Sequence, residues 1–82
     1  MTNVLYFGRL GDISGKPMEN ICLPEYMTVA GDLRSWIDDR HQAEGAFLEP
    51  TVRIAINGEL VDDTYSLSGA NEIAFMPPVG GG

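Results

Sequence analysis

The chain has few of the side chains from which active sites are usually built. Its 82 residues include one cysteine, Cys22, and one histidine, His41. A single cysteine excludes an internal disulfide and a zinc site made of cysteines. No serine or cysteine close to His41 in the sequence suggests a catalytic triad. We therefore interpret Cys22 as a half-buried packing residue of a strand, and His41 as a residue at the surface or in the last turn of a helix.

Basic residues and long apolar runs are also scarce. Five lysines and arginines stand against 12 aspartates and glutamates, which gives a formal net charge of −7. This balance argues against nucleic acid or an anionic membrane as a partner, because both reward clustered basic residues, and it suits a partner with a basic docking site. No apolar run approaches the ~20 residues of a membrane span, and the N-terminus lacks the blocks of a signal peptide. We expect a single-domain cytoplasmic protein.

Recognisable cofactor and metal motifs are missing as well. The glycines around Gly8 and Gly11 form neither a GxGxxG nor a Walker pattern, so no nucleotide site is implied. The pairs Asp38–Asp39 and Asp62–Asp63 lack the spacing of a calcium loop, and we interpret them as solvated charge. Trp36 is interpreted as a core residue. We therefore expect no metal site and no bound cofactor in this chain.

What the chain does have is an unusual ending, Pro77–Gly82. Pro77 and Pro78 favour extended polyproline geometry, which directs the following residues away from the fold. The glycines carry no Cβ, so this segment is thin enough to thread through a channel. Its tip is the α-carboxylate of Gly82, which is charged at neutral pH. We predict a domain at residues 1–76 and a functional, flexible tail at residues 77–82.

Alternating and helical patterns predict the elements of the domain. Five strands are predicted, at Thr2–Phe7, Lys16–Leu23, Thr51–Asn57, Glu59–Val61 and Glu72–Met76. Gly8–Gly15 predicts a turn that joins the first two strands into a hairpin, and Asn57-Gly58 predicts a tight hairpin turn. In the first strand Val4 and Tyr6 are expected to face inward, and in the last strand Ile73 and Phe75.

One helix is predicted from Val29 to His41, with Thr28 as its N-cap. Val29, Leu33, Trp36 and Ile37 form an apolar stripe that faces the core. The polar side of this helix is formed by Asp32, Ser35, Asp38 and Asp39. In the connection that follows, we expect Phe47 and Leu48 to pack under the core.

The predicted order β-β-α-β-β-β gives an α+β roll, a mixed sheet of about five strands with one main helix. If the first and last strands are neighbours, the outward residues Leu5, Phe7 and Met76 form an apolar patch at the base of the tail. Leu60 is expected to join them. Exposed apolar patches of this kind mark binding surfaces.

Three stretches resemble the small subunit of molybdopterin synthase, one of the MoaD-like sulfur carriers with the ubiquitin-like β-grasp fold. They are Val4–Phe7, Ala55–Val61 and Glu72–Val79 before the final glycines. The resemblance extends over essentially the whole chain. Gly80 replaces a larger residue of the family, and Gly11-Asp12 stands where the family often has an Arg-Glu pair.

The resemblance implies a sulfur shuttle that works with partners. An E1-like adenylating enzyme would activate Gly82 with ATP, and a sulfur donor protein would convert it to a thiocarboxylate. The large subunit of a heterotetrameric molybdopterin synthase would then use this sulfur on a cyclic pterin precursor. The chain would be a non-catalytic subunit of a transferase. The residues concerned are Pro77, Pro78 and Val79 for aligning the tail, Gly80 and Gly81 for clearance in the partner channels, and Phe7, Leu60 and Met76 for docking.

Three other functions remain open at this point. The chain could carry sulfur for thiamine thiazole or another metabolite. It could be a ubiquitin-like modifier, joined through Gly82 to lysines of target proteins, although Lys16 as the only lysine leaves little scope for chains of the modifier. It could also be a plain interaction domain with an inert tail.

Overall fold

The computed structural model describes residues 1–78. Its elements in chain order are β1 (Thr2–Tyr6), α1 (Arg9–Ser14), β2 (Met18–Ile21), α2 (Ala30–Arg40), a 3₁₀ helix (Ala46–Leu48), β3 (Arg53–Ile56), β4 (Glu59–Val61) and β5 (Glu72–Met76). The longest helix has 11 residues. No helix within residues 1–78 reaches the length and hydropathy of a bilayer crossing.

All five predicted strands are present and form one mixed sheet in the order β2-β1-β5-β3-β4. The central pair, β1 and β5, is parallel, and the other neighbours are antiparallel. The Asn57-Gly58 turn has positive φ at both residues, as the favoured two-residue hairpin requires. The predicted α+β roll of the β-grasp type is therefore confirmed, and so is the pairing of the first and last strands.

The core lies between α2 and one face of the sheet. Inward residues of the strands, Ile54 and Phe75 among them, share one apolar cluster with Leu33 and Ile37 of α2. The fully buried large side chains are Val4, Leu10, Leu33, Ile37, Phe47, Val52, Ile54, Ile73 and Phe75. The predicted inward alternation is confirmed in β1, β3 and β5, because each buries every second residue.

The segment between β1 and β2 is more than the predicted turn. It contains the short helix α1, whose Leu10 is completely buried. Gly15 ends α1 in the left-handed conformation, at φ 81°. Glycines concealed this helix in the sequence, since they weaken helix propensity. Burial of one leucine against the core stabilises it instead.

The start of α2 also differs from the prediction. Thr28 is not the N-cap, since the helix begins at Ala30 and Val29 occupies the cap position. The Asp32 carboxylate accepts hydrogen bonds from the N–H of Thr28 (3.0 Å) and of Val29 (3.2 Å), just before the helix. The first N–H groups of the helix, those of Ala30 and Gly31, donate instead to the carbonyl oxygens of Tyr65 and Asp63 (both 2.9 Å) in the loop after β4. In a capping box the N-cap hydroxyl and the carboxylate three residues later each accept a backbone hydrogen bond. Here only the carboxylate bond is possible, because the N-cap residue, Val29, has no hydroxyl.

The connection after α2 is held by Asp38, which was predicted to be solvated and is buried. Its carboxylate accepts hydrogen bonds from the backbone N–H of Gly45 (2.9 Å) and of Phe47 (3.0 Å). These donors are visible only once the connection has folded back on the helix. Phe47 enters the core as predicted, but Leu48 is 49% exposed, so its predicted burial is wrong.

Arg34 of α2 is also buried and orders the other side of the same connection. Its guanidinium donates hydrogen bonds to the carbonyl oxygens of Phe47, Glu49 and Val52. It also pairs with the Asp63 carboxylate, at 2.7 Å. Arg34 therefore links α2, the connection before β3 and the loop after β4.

Candidate functional site

The strand that leads into the C-terminal segment, β5, lies in the middle of the sheet, between β1 and β3. Where β1 ends, the N–H of Phe7 donates a hydrogen bond to the carbonyl oxygen of Phe75 (3.0 Å). The next residue, Gly8, has φ 56°, and a Cβ added there would lie 2.9 Å from Pro77 Cγ. Only glycine allows this close approach. The end of β1 thus packs against the first residue after β5.

The face of the sheet turned away from α2 carries an apolar row. Strand register aligns five outward residues across the whole sheet, in the order Met18, Leu5, Ala74, Ala55 and Leu60. The two ends of this row are accessible, since Met18 is 44% and Leu60 is 59% exposed. We call this side of the sheet the open face.

The open face is graded from polar to apolar along the strands. One end carries Asn3 paired with Asn20 and Glu72. The other end carries Phe7, which is 47% exposed, and Met76, which is paired with Arg53. The apolar end is therefore the end at which β5 runs into Pro77 and Pro78. An accessible apolar surface beside an emerging chain is a suitable docking surface for a partner that receives this chain.

The predicted docking residues lie on this open face. Phe7 and Met76 are adjacent at its apolar end, beside the emerging chain. Leu60 belongs to the neighbouring row and lies on the edge strand β4, beyond β3. Their role in docking stays a prediction.

Two of the predicted tail residues, Pro77 and Pro78, are described and are partly buried. The other four, Val79, Gly80, Gly81 and Gly82, lie outside the described residues. The predicted boundary between a domain at 1–76 and a tail at 77–82 stays a prediction.

A polar cluster lies on the opposite, helix-covered side of the sheet. At its centre is Glu19 of β2, whose side chain is 7% exposed. Its carboxylate accepts a hydrogen bond from the Tyr6 hydroxyl (2.5 Å), lies 2.7 Å from His41 Nε2 and accepts another hydrogen bond from Arg40 (3.1 Å). The cluster joins the edge strand β2 to β1 and to the end of α2. His41 was predicted to lie either at the surface or in the last turn of a helix. It directly follows α2, but its side chain is only 10% exposed, so it is not a surface residue.

Burial and hydrogen bonding act in opposite directions on Glu19. Burial raises the pKa of its carboxyl group, but hydrogen bonds from Tyr6, Arg40 and His41 and the charge of Arg40 outweigh burial and lower the pKa to about 2. For Tyr6, burial, the hydrogen bond to Glu19 and the charge of that carboxylate together raise the phenol pKa. The group is thus a neutral phenol on an ionised carboxylate at neutral pH. Tyr6 also stacks on Phe75, with ring centroids 6.1 Å apart, so the cluster braces the strands that carry the C-terminal segment.

Sequence reasoning missed this cluster because its members are far apart in the chain and only strand pairing brings Glu19 under Tyr6.

Cys22 was expected to be half-buried, but it is exposed where β2 ends. Within residues 1–78, no group of three or more histidine, cysteine, aspartate or glutamate side chains is arranged to hold a metal ion.

Comparison with known proteins gives one family and a consistent set of structures. The model of the ThiS family matches residues 4–82. A solved structure from Pyrococcus furiosus, with the provisional description molybdopterin converting factor subunit 1, is 31% identical with a TM-score of 0.76, over 95% of this chain and 97% of that one. None of the curated proteins matches this chain.

Two structures of small archaeal modifier proteins share the fold at lower identity. Small archaeal modifier protein 1 from Haloferax volcanii is 19% identical with a TM-score of 0.79, over 95% of this chain and 97% of that one. The protein of the same name from Methanosarcina acetivorans is 23% identical with a TM-score of 0.72, over 99% of this chain and 95% of that one. At these identities the likeness shows the fold alone.

Proposed function

Because the chain belongs to the ThiS family, the ubiquitin-like sulfur carriers and modifiers, we propose that it is the sulfur-carrier small subunit of a molybdopterin synthase. Proteins of this type work with a large partner subunit and with E1-like enzymes. The Pyrococcus furiosus protein, described as a molybdopterin converting factor subunit and 31% identical over nearly the whole chain, supports this pathway. The observation that carries the proposal is that the central strand β5 ends at the apolar end of the open face and leads there into the C-terminal segment.

The reacting group is the Gly82 carboxylate. An E1-like enzyme would join it to AMP from ATP, with release of pyrophosphate. The persulfide sulfur of a donor protein would then attack the acyl carbon, and AMP would leave with its bonding electrons. A thiol would cleave the resulting acyl disulfide, taking the donor cysteine into a new disulfide and leaving a thiocarboxylate on Gly82. The poor acyl electrophile is thereby activated before sulfur enters. ATP belongs to the activating enzyme, and this chain needs no cofactor of its own.

The thiocarboxylate would next enter the large subunit of the synthase. There it would deliver its sulfur to a cyclic pterin precursor and return to the carboxylate. Two deliveries build one dithiolene, which suits a heterotetramer with two carriers. Catalytic acids and bases would come from the large subunit, and this chain would supply binding energy and position.

The described residues fit these supporting tasks. Phe7 and Met76 present apolar surface at the point of departure, and such surface is the usual centre of an interface. Pro77 rests against Gly8, so the first step of the tail has a defined direction. Beyond it, Pro78 and Val79 would keep the tail extended, and the following glycines would pass through narrow channels.

The test is the intact mass of the protein after incubation with ATP, an adenylating partner and a sulfur donor. We expect a gain equal to the replacement of one oxygen by sulfur, located at Gly82 by fragmentation. A variant without Gly81 and Gly82 is the control and should show no gain. Adding the large subunit and the pterin precursor should then remove the sulfur and yield a dithiolene.

Other outcomes of the same experiment favour the other functions. Sulfur that reaches Gly82 but leaves only to a thiazole precursor would indicate thiamine synthesis. Attachment of the chain to lysines of other proteins would indicate a modifier, since activation of a terminal glycine is common to both. An unchanged mass with every partner present would leave an interaction domain with an inert tail.

A further inference from the structure

A groove near the start of α2 lies apart from the open face. It has a volume of about 300 Å³ and is lined by Tyr26, Met27, Asp32, Ser35, Trp36 and Asp39. Helix α2 packs on the face of the sheet opposite the open face. A partner in this groove would therefore leave Phe7, Met76 and the tail accessible to other proteins.

Two aromatic side chains shape the groove. Tyr26 is 75% exposed and is the most exposed aromatic side chain of residues 1–78. Trp36 is partly buried and packs against the core, while Met27 beneath is 7% exposed. The indole is therefore held in place by the fold, and the phenol projects into solvent beside it. Such exposed aromatic surface is costly to leave in water and is typical of binding sites.

Two carboxylates flank the aromatic side chains. Asp32 and Asp39 are seven residues apart on α2, so they lie on the same helix face two turns apart, with Trp36 between them. Hydrogen bonds from the backbone N–H of Thr28 and of Val29 lower the pKa of Asp32, so it is ionised at neutral pH. All of its recorded hydrogen bonds go to Oδ2, which leaves Oδ1 available to a ligand.

The groove contains negative charge without a basic residue of its own. None of the six lining residues is basic. A cation, Arg40, borders the groove through Trp36: its guanidinium lies 5.3 Å from the centroid of the Trp36 ring and is hydrogen-bonded to Glu19. The Trp36 ring is therefore already in contact with one guanidinium, that of Arg40. The carboxylate that pairs with Arg40 is Glu19, which lies outside the groove.

We propose that this groove binds an arginine side chain from a basic segment of a partner protein. A guanidinium is planar and weakly hydrated, so it can stack on the aromatic rings and donate to a carboxylate at the same time. A lysine ammonium ion is more strongly hydrated and lacks this flat shape, so it fits less well. The net charge of −7 would also attract a basic segment before contact.

The sole tryptophan of the chain, Trp36, makes binding measurable by fluorescence. The probe is a capped pentapeptide with two arginines separated by glycines, with calorimetry as a second measurement of its affinity. A peptide with citrulline in place of arginine keeps the shape and removes the charge, and a lysine peptide keeps the charge and removes the planar fork. We expect the arginine peptide to bind most tightly and the citrulline peptide to bind at least about fivefold more weakly.

Variants separate this groove from general attraction to an acidic protein. We expect Tyr26→Ala and Asp39→Asn each to weaken binding of the arginine peptide by about fivefold. Glu59→Gln removes the same charge from exposed β4 and should change the affinity by less than about twofold. Equal losses for Asp39→Asn and Glu59→Gln, equal affinity for the citrulline peptide, or no binding by calorimetry would overturn the proposal. The experiment involves neither Gly82 nor sulfur, so its failure leaves the proposed function standing.

Discussion

The two faces of the sheet are built from the same strands but have different tasks. In β5, Ile73 and Phe75 are completely buried beneath α2, whereas Ala74 and Met76 are partly exposed on the open face. Alternation along a strand thus places a residue for stability next to a residue for binding. In this domain the two properties are separable one residue at a time, so paired substitutions on neighbouring positions can test the division directly.

The largest effect is expected on the buried side of β5. Phe75→Ala removes a ring that contacts both Tyr6 and Phe47, and should lower the free energy of unfolding by about 3–5 kcal/mol. Its matched control is Met76→Ala, one residue along on the open face, which should cost less than about 1 kcal/mol. Urea denaturation of both variants measures the difference. Equal losses would show that the two faces do not differ in their contribution to stability.

The next effect concerns Glu19, the charged exception on the buried side. Its folded pKa, about 2, lies below the ordinary value of 4.5, so its contribution to stability is present above about pH 4.5 and is lost as the pH falls towards 2. This contribution is at most roughly 3 kcal/mol at neutral pH. Glu19→Gln should therefore be less stable than the parent at pH 7.

The pH dependence of this difference provides the check. The gap between the parent and Glu19→Gln should close between about pH 4.5 and pH 2, as measured by urea denaturation at each pH. Glu72→Gln, on the polar end of the open face, is the control and should show a much smaller gap. A gap that stays constant across this range would mean that the ionised form of Glu19 is not what stabilises the cluster.

The open face should respond in binding instead of stability. Met76→Asp places a charge at the apolar end, next to Pro77, and should weaken the proposed complex with a large synthase subunit by at least about tenfold. Calorimetry measures this affinity, and the unfolding midpoint should change little. Asn20→Asp adds the same charge at the polar end and serves as the control. Unchanged affinity of Met76→Asp would remove the docking role of this surface.

The difference between the faces also explains what could be predicted from the sequence. The strands and their inward residues were predictable because alternation is a local pattern, as in Val52, Ile54 and Ile56. The tail at residues 77–82 was inferred from its composition alone and stays a prediction. Contacts between distant residues were not predictable in this way, and Asp38 shows the reason. Its helical position indicates a solvated residue, and its burial depends on donors from a connection that the pattern does not describe.

The candidate site was predictable to the same extent. That Phe7 and Met76 share a surface followed from alternation once the first and last strands were assumed to be neighbours. The polar cluster under Tyr6 depends on pairing between β1 and β2 and on the end of α2, and nothing in the local sequence of Glu19 signals it. Trp36 was interpreted as core, and the groove that it borders appears only when Tyr26 is placed beside it.

The smallest effect is expected for the coupling between Gly8, at the end of β1, and Pro77. Gly8→Ala should destabilise the domain through the positive φ and through the new Cβ, which would lie 2.9 Å from Pro77 Cγ. Gly15→Ala places an alanine in the left-handed conformation with no atom within 4 Å of the new Cβ, so it reports a left-handed backbone cost of about 1–2 kcal/mol alone. Gly8, at φ 56° and ψ −136°, lies outside that region, so its backbone cost should be larger. Combining Gly8→Ala with Pro77→Ala isolates the contact itself, with an expected coupling of about 1 kcal/mol by urea denaturation. If the contact also directs the tail, Gly8→Ala should slow sulfur loading of Gly82 while Gly15→Ala does not. Additive effects of Gly8→Ala and Pro77→Ala, with equal loading rates in the two glycine variants, would mean that the end of β1 does not guide the tail.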